Sequence, residues 1–234
     1  MENQTEKNQR TLMEHSSFEK HHQCPLCDHI ADYFCSDPNE IRNYYKCSNC
    51  HSVFLDSKHF IDLHLEKKRY KTHNNDVDDV RYQKFVEPIT TAVQHQFLKS
   101  AKGLDYGCGT GPVASTVLKR LSYENISLYD PFFYPDKKCL SDTYDFIICC
   151  EVMEHFHNPN QEFSMLKTRL KDKGKLYCKT NLIENNTSVN AFQNWWYKDD
   201  PTHVFFYSEK TLKFIAHHFN FGRLTLDSNL ITFG

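Results

Sequence analysis

The spacing of hydrophobic positions changes twice along the chain. From Cys24 to about Leu55, short apolar and aromatic pieces such as "ADYFC", "NYYKC" and "SVFL" alternate with polar turns. That pattern predicts a small hairpin-built unit. In "DDVRYQKFVEPITTAVQHQFL" the apolar residues Tyr82, Phe85, Ile89, Val93 and Phe97 recur every three or four positions. This is one face of a helix, with Asp79 placed to cap it and Pro88 placed to kink it. After Lys102, short apolar strands alternate with helices. "GLDYG" and "ISLYD" read as strands and "VASTVLKRL" as a helix, while "YDFIICCEV" is an unbroken apolar strand of the kind buried on both faces of a parallel sheet. "NPNQEFSMLKTRL" is a helix opened by Asn158 with Pro159 in its first turn, followed by the strand "GKLYCKTN". "SEKTLKFIAHHF" is a helix capped by Ser208, and "RLTLD" and "LITFG" form a closing strand pair. The alternation predicts an open, doubly wound, mostly parallel α/β sheet with helices on both faces. Residues 1–22 are polar with few apolar anchors, which predicts a disordered tail. The expected organisation is a tail over 1–22, a small unit over 23–56, a helical linker or lid over 57–99 and an α/β domain over 100–234.

Composition narrows the class. Of 234 residues 39% are hydrophobic and 14% aromatic, enough for a substantial core, and 28 basic residues balance 30 acidic ones. No polyanionic partner is demanded by that balance. The one basic cluster, "EKKRYK" from Glu66 to Lys71, reads as a solvated face, so nucleic acid is possible but not favoured. The opening residues lack the apolar run of a signal peptide, and the longest apolar run, "FIICC", is too short to span a membrane. A cytoplasmic protein is expected.

In that compartment the ten cysteines point to metal rather than to disulfides. Cys24-x-x-Cys27 and Cys47-x-x-Cys50 are separated by nineteen residues. Two tight turns of this kind bring four thiolates to the corners of a tetrahedron, the donor set of a zinc ribbon. Four thiolates leave no open coordination position, so the zinc is expected to be structural. The aromatic pairs Tyr33-Phe34 and Tyr44-Tyr45 either stack on bases or form the scant core of the ribbon.

The stretch "LDYGCGTGP", Leu104 to Pro112, carries the binding signal. A nicotinamide fingerprint requires a third glycine where Pro112 stands, and a phosphate-binding loop requires Gly-Lys-Ser/Thr, which is absent. What remains is Asp105-x-Gly107-x-Gly109-x-Gly111 at the end of a strand. Here the chain resembles the class I S-adenosylmethionine-dependent methyltransferases. "YDFIICCEVMEHF" and "LKDKGKLYCKTNL" resemble their fourth strand with its loop and the turn into their fifth. Together with the "CPLC…CSNC" ribbon, "LYDPFF" and "WWYKDDPTHVFFYS", the chain after residue 22 resembles a bacterial group of zinc-ribbon-bearing methyltransferases. The resemblance implies S-adenosylmethionine as cofactor. Asp105 and the loop of Gly107, Gly109 and Gly111 would surround its amino acid part, Asp130 would receive its ribose hydroxyls, and Glu151 would line its pocket. One departure is visible. Residues 131–143 are too few for the helix, strand and helix usual between the second and fourth strands, so the domain is expected to be shortened there. The adenine-binding acid is therefore not placed by pattern, with Asp136 and Asp142 the nearest acids. Phe132 or Phe133 either stacks on adenine or fills the vacated space.

Methyl transfer from a sulfonium needs alignment of the acceptor and often a base. The loops after the fourth and fifth strands supply candidates. "EVMEHFH" offers Glu154 and His155, which either act at the acceptor or brace the following helix. "NWWYKDDPTHVFFYS" offers Trp195, Trp196, Tyr197 and Asp200 as an acceptor wall, with His203 as the leading base or orienting group. Cys108, near a helix N-terminus, has a place where its pKa would fall. The expected function is methylation of a small or carrier-borne metabolite. The alternatives are an RNA or protein methyltransferase that reads its substrate with the ribbon, and a non-catalytic cofactor-binding scaffold.

Overall fold

The structure, a computed structural model, describes residues 21–37, 39, 41–72, 75–227 and 230–234. The expected tail falls almost wholly outside the described residues, although His21 and His22 already belong to a strand. Four strands open the described residues: β1 (His21–Gln23), β2 (Ile30–Ser36), β3 (Asn43–Cys47) and β4 (Val53–Leu55). Two helices follow. In α1 (Leu63–Tyr70) the Asp62 carboxylate accepts from the His64 and Leu65 amides, and in α2 (Val80–Gln96) Asp79 accepts from the Arg81 amide. Pro88 lies inside α2, which continues through it.

The α/β region follows the predicted alternation closely. Its elements are β5 (Gly103–Tyr106), α3 (Val113–Arg120), β6 (Ile126–Tyr129), β7 (Tyr144–Cys150), α4 (Pro159–Arg169) and β8 (Leu170–Lys179). After them come α5 (Val189–Gln193), β9 (Phe205–Phe206), α6 (Glu209–His218), β10 (Leu224–Asp227) and β11 (Leu230–Phe233). Six of the strands form one sheet in the order β6-β5-β7-β8-β11-β10. Neighbours from β6 to β8 are parallel, and β11 runs antiparallel to both β8 and β10. The continuous apolar run of β7 is explained by burial on both faces. Phe146 and Ile148 pack with Val86, Ile89, Val93 and Leu118 of α2 and α3, while Ile147 and Cys149 join the core with Phe163, Leu166, Leu212 and Ile215 of α4 and α6.

The shortening expected between β6 and β7 is present. Only a bridge between Asp130 and Tyr134 and a 3-10 turn, Lys137–Ser141, connect the two strands, so β6 is the edge of the sheet. The N-terminal strands depart from expectation. Instead of closing on themselves they take β9 as a fifth strand, in the order β1-β2-β3-β4-β9. Val53 pairs with Phe206 and Phe54 with Phe205, across about 150 positions of sequence. A unit of this size leaves a bare strand edge and too little core, and β9 supplies both the missing pairing and the aromatic cover. One apolar cluster accordingly runs from Cys24, Tyr44 and Phe54 through Phe205 and Phe206 to Cys149 and Leu176.

Candidate functional site

The carboxyl ends of β5, β6 and β7 open into a cleft of about 1040 Å³. This is where open parallel sheets bind ligands. Its floor is the glycine loop. Gly107 and Gly109 have positive φ, 74° and 64°, which side chains disfavour, and Val152 closes on the face of Gly107 that a Cβ would occupy. Gly111 has a different reason to be glycine: a Cβ there would stand 1.8 Å from the carbonyl oxygen of Asn75, in the segment that leads into α2. The third glycine thus seats the linker on the loop.

Both strand-end acids lie in this cleft. Asp105 is buried and accepts from the Ser115 hydroxyl at 2.5 Å, and burial pushes its carboxyl up to about 6. The Asp130 carboxylate receives three backbone N–H groups, from Phe132 (2.8 Å), Phe133 (3.0 Å) and Gly109 (3.0 Å). It therefore holds the β6 turn against the glycine loop. A carboxylate has roughly four acceptor positions, so capacity for a ligand hydroxyl remains. Phe132 lines the cleft, whereas Phe133 lies under the Lys67 ammonium, outside it. Asp136 caps the 3-10 turn and Asp142 pairs with Lys102, both away from the lining. Cys108 differs from expectation: burial raises its thiol pKa instead of the helix terminus lowering it.

The far wall is acidic and aromatic. Glu151, at the end of β7, has φ 52°, a left-handed conformation that is costly for a residue with a Cβ. Its Oε2 is 3.1 Å from the Tyr197 hydroxyl, which is 2.5 Å from Oε1 of Glu154 and 3.0 Å from the Thr180 hydroxyl. Burial raises both carboxyls above the usual carboxylate range, the charge of Glu154 adding to the effect on Glu151 and that of Asp200 to the effect on Glu154. His155 and His203 stand beside them with ring centroids 4.8 Å apart. His203 Nδ1 is 2.6 Å from the Tyr197 carbonyl, and His155 Nδ1 is 2.8 Å from the Thr202 carbonyl.

The segment after β8 is brought over the cleft as the sequence implied, with one division of labour it did not show. Trp196, Tyr197, Asp200 and His203 line the cleft. Trp195 turns away, among Phe192 and Phe206. Asp200 accepts from the Thr202 amide and hydroxyl and pairs with Arg69 of α1 at 2.6 Å. Burial alone would raise its carboxyl, but these partners hold it well below the usual range. Sequence reasoning missed α1. The stretch read as a solvated basic face buries Glu66, which accepts from Tyr70, and anchors itself to Asp200 through Arg69. A signal was available, because an acid and a tyrosine four residues apart share a helix face. Tyr82 and Phe85 of α2, recognised only as an apolar face, complete the roof.

The four paired cysteines meet at the turns of the N-terminal strands. Cys24 and Cys50 sulfurs are 3.6 Å apart, Cys27 and Cys47 sulfurs 3.5 Å, and all four lie within 4.8 Å of one another. These separations are too long for disulfides and suit a tetrahedron with bonds of about 2.3 Å, whose edges are about 3.8 Å. Each pair ends in a matching turn, with Asp28 (φ 59°) and His51 (φ 61°) left-handed and their amides bonded back to Cys24 and Cys47. The Ser52 hydroxyl lies 3.1 Å from the Cys50 sulfur. The donor set and its geometry fit zinc.

A family profile described as a methyltransferase domain matches residues 78–225, more than half of the chain. No curated protein matches the chain in sequence. Among solved structures it aligns with the YcgJ protein from Bacillus subtilis at 15% identity, over 62% of this chain and 71% of that one, with a TM-score of 0.46. Magnesium protoporphyrin IX methyltransferase from Synechocystis PCC 6803 with bound SAH aligns at 13% identity, over 75% and 95%, with a TM-score of 0.45. An O-methyltransferase family protein from Burkholderia thailandensis aligns at 10% identity, over 72% and 61%, with a TM-score of 0.47. With the glycine loop, the two strand-end acids and the profile match in agreement, the chain belongs to the methyltransferase-domain family, the class I S-adenosylmethionine-dependent methyltransferases.

Proposed function

We propose that the protein methylates a small or carrier-borne metabolite held in the cleft between the glycine loop and the Glu151, Glu154, His155 and His203 wall. The observation that carries this reading is continuity. One cavity of about 1040 Å³ joins Asp105, Gly107 and Asp130 to Glu151, His155, Tyr197 and His203 under a roof from α1 and α2. That is room for a nucleoside and a modest second molecule. The residues at the β5 and β6 ends fit S-adenosylmethionine: a carboxylate for an ammonium, an acid with spare acceptor capacity for ribose, and Phe132 for an adenine face. When bound, that molecule supplies a methyl group on sulfur; the acceptor's lone pair forms the new bond to carbon and the carbon–sulfur pair returns to sulfur. The chain's own contribution is orientation, exclusion of water and removal of the acceptor's proton. Glu151 is the group we assign to the proton, since it lies at the strand end between the two halves of the cleft. Tyr197 links it to Glu154, and a proton can be shared along that hydrogen-bonded row.

The ribbon as a reader of RNA has less support. Tyr44 and Tyr45 are buried in its core, and both cysteine turns are docked: Asn160 bonds the carbonyl of Leu26 and Ser208 that of His51. Its role in this reading is to hold the His203 segment. A cytoplasmic setting is part of the same proposal, as none of the ten cysteines forms a disulfide. Among the described residues no helix is long and apolar enough to cross a membrane.

The test is calorimetric titration of the zinc-replete protein with S-adenosylhomocysteine, beside Asp130→Ala. Micromolar binding that weakens at least about tenfold in the variant, a loss of about 1.4 kcal/mol, is expected. Absence of binding by folded wild-type protein freed of copurified ligand would favour the scaffold reading. Salt-sensitive binding of RNA at low ionic strength would favour the reader.

A further inference from the structure

Glu154, His155 and His203 present a donor set that orientation of an acceptor does not by itself require. A carboxylate oxygen of Glu154 and a ring nitrogen of each histidine lie within 4.8 Å of one another. Both imidazoles are fixed in the same way. Nδ1 of His155 meets the Thr202 carbonyl at 2.8 Å, and Nδ1 of His203 meets the Tyr197 carbonyl at 2.6 Å. A carbonyl only accepts, so each Nδ1 carries the hydrogen, and Nε2 is the nitrogen a metal ion would meet. Ring N–H groups anchored on backbone carbonyls are how proteins orient metal-bound histidines.

The carboxyl adds an independent observation. Glu154 is fully buried; Oε1 accepts from Tyr197, but Oε2 is buried without a hydrogen-bond partner. It forms no ion pair with a lysine or arginine among the described residues, and its charged neighbours Glu151 and Asp200 are acids. The Arg69 nearby is committed to Asp200. A buried carboxylate with an open oxygen is costly unless it meets a cation.

We propose that Glu154, His155 and His203 bind a divalent transition-metal ion at the acceptor end of the cleft, separate from the zinc of the four cysteines. Two imidazoles and one carboxylate suit Zn²⁺, Mn²⁺, Fe²⁺ or Co²⁺; Mg²⁺ and Ca²⁺ prefer all-oxygen sites. Three protein ligands leave coordination positions open, and all three residues line the cleft, so the open side faces the acceptor. Resting on the methyl-transfer reading, this selects an acceptor whose hydroxyl ligates a metal, most readily one with a second oxygen alongside. An ion held there would lower the hydroxyl's pKa, and Glu151, in its ionised form, would receive the released proton.

The test is metal content of the full chain after equilibration with Zn²⁺ or Co²⁺ and removal of loosely held metal. Two equivalents are expected in the wild type. In the cobalt form, one should show thiolate charge-transfer absorption and the other only weak nitrogen and oxygen ligand-field bands. His203→Ala and Glu154→Gln should each lose the second equivalent, or weaken it at least about tenfold, while the thiolate bands persist. His155→Asn serves if His203→Ala does not fold. A single, thiolate-bound equivalent in the wild type would overturn the site, as would a second equivalent indifferent to all three substitutions. S-adenosylhomocysteine titrated into the same samples separates the two readings. Retained binding with one equivalent removes the metal site alone, whereas no binding in the wild type removes the methyl-donor reading whatever the metal count.

Discussion

Glu151 stands at the end of the central strand β7 with its backbone at φ 52°. Such a conformation costs a residue bearing a Cβ roughly 1–2 kcal/mol, and it is held because it aims the carboxyl across the cleft to Tyr197. Glycine pays no such cost. Glu151→Gly should therefore be more stable than Glu151→Ala by about 1 kcal/mol in denaturant titrations, the reverse of the usual order. Asp105 makes a second prediction at this scale. Its carboxyl is raised to about 6 in the folded protein, against about 3.9 in an unfolded chain. Between those values the native state holds the extra proton, so stability falls as pH rises from about 4 to about 6. The differential is about 3 kcal/mol, and Asp105→Asn, which still accepts from Ser115, should flatten this part of the stability profile. If the ionised form receives the ligand's ammonium, S-adenosylhomocysteine should also bind more tightly across the same rise in pH, with that dependence lost in Asp105→Asn.

At the scale of elements, the informative feature is β9. Two residues, Phe205 and Phe206, complete the ribbon sheet, and His203 and Val204 precede them directly. The Val204 amide bonds to the Glu154 carbonyl, and the Leu55 amide bonds to the Val204 carbonyl. His203 is thereby clamped between the loop after β7 and the edge of the ribbon. If the four cysteines hold zinc, the ion adds to the folding stability of these strands. Removing zinc, by chelation or Cys47→Ser, should raise hydrogen exchange at residues 204–207 as well as in β2 to β4, while β5 and β7 stay protected. Unchanged protection at 204–207 would mean that β9 is held by the larger sheet alone. The element pattern of the α/β region was readable in advance because most of its helices carry their own cap and its strands their own apolar runs. Asp79, Asn158 and Ser208 all cap as their positions imply. β9 was not readable: two aromatic residues have no periodicity, and their partner strand lies about 150 positions away.

At the scale of the whole molecule, two sheets share one core and one cleft. The larger sheet brings Asp105, Gly107 and Asp130 to its carboxyl edge, and the smaller sheet takes in β9 from the 195–208 segment. The sequence by itself determined the parts whose physics is local. These are the alternation of strands and helices, the missing elements between β6 and β7, the two cysteine turns and the glycine loop with its following acid. Each depends on residues near one another in the chain, through periodicity, capping, turn geometry or metal-ligand spacing. Tertiary structure alone decided the rest. It made the basic stretch of α1 a roof by pairing Arg69 with Asp200, and gave Gly111 to the carbonyl of Asn75. It separated Trp195 from the cleft that Trp196 and Tyr197 line, and gathered Glu154, His155 and His203 around one point. Those outcomes depend on which distant surfaces bury one another, and burial between remote segments leaves no local pattern to read.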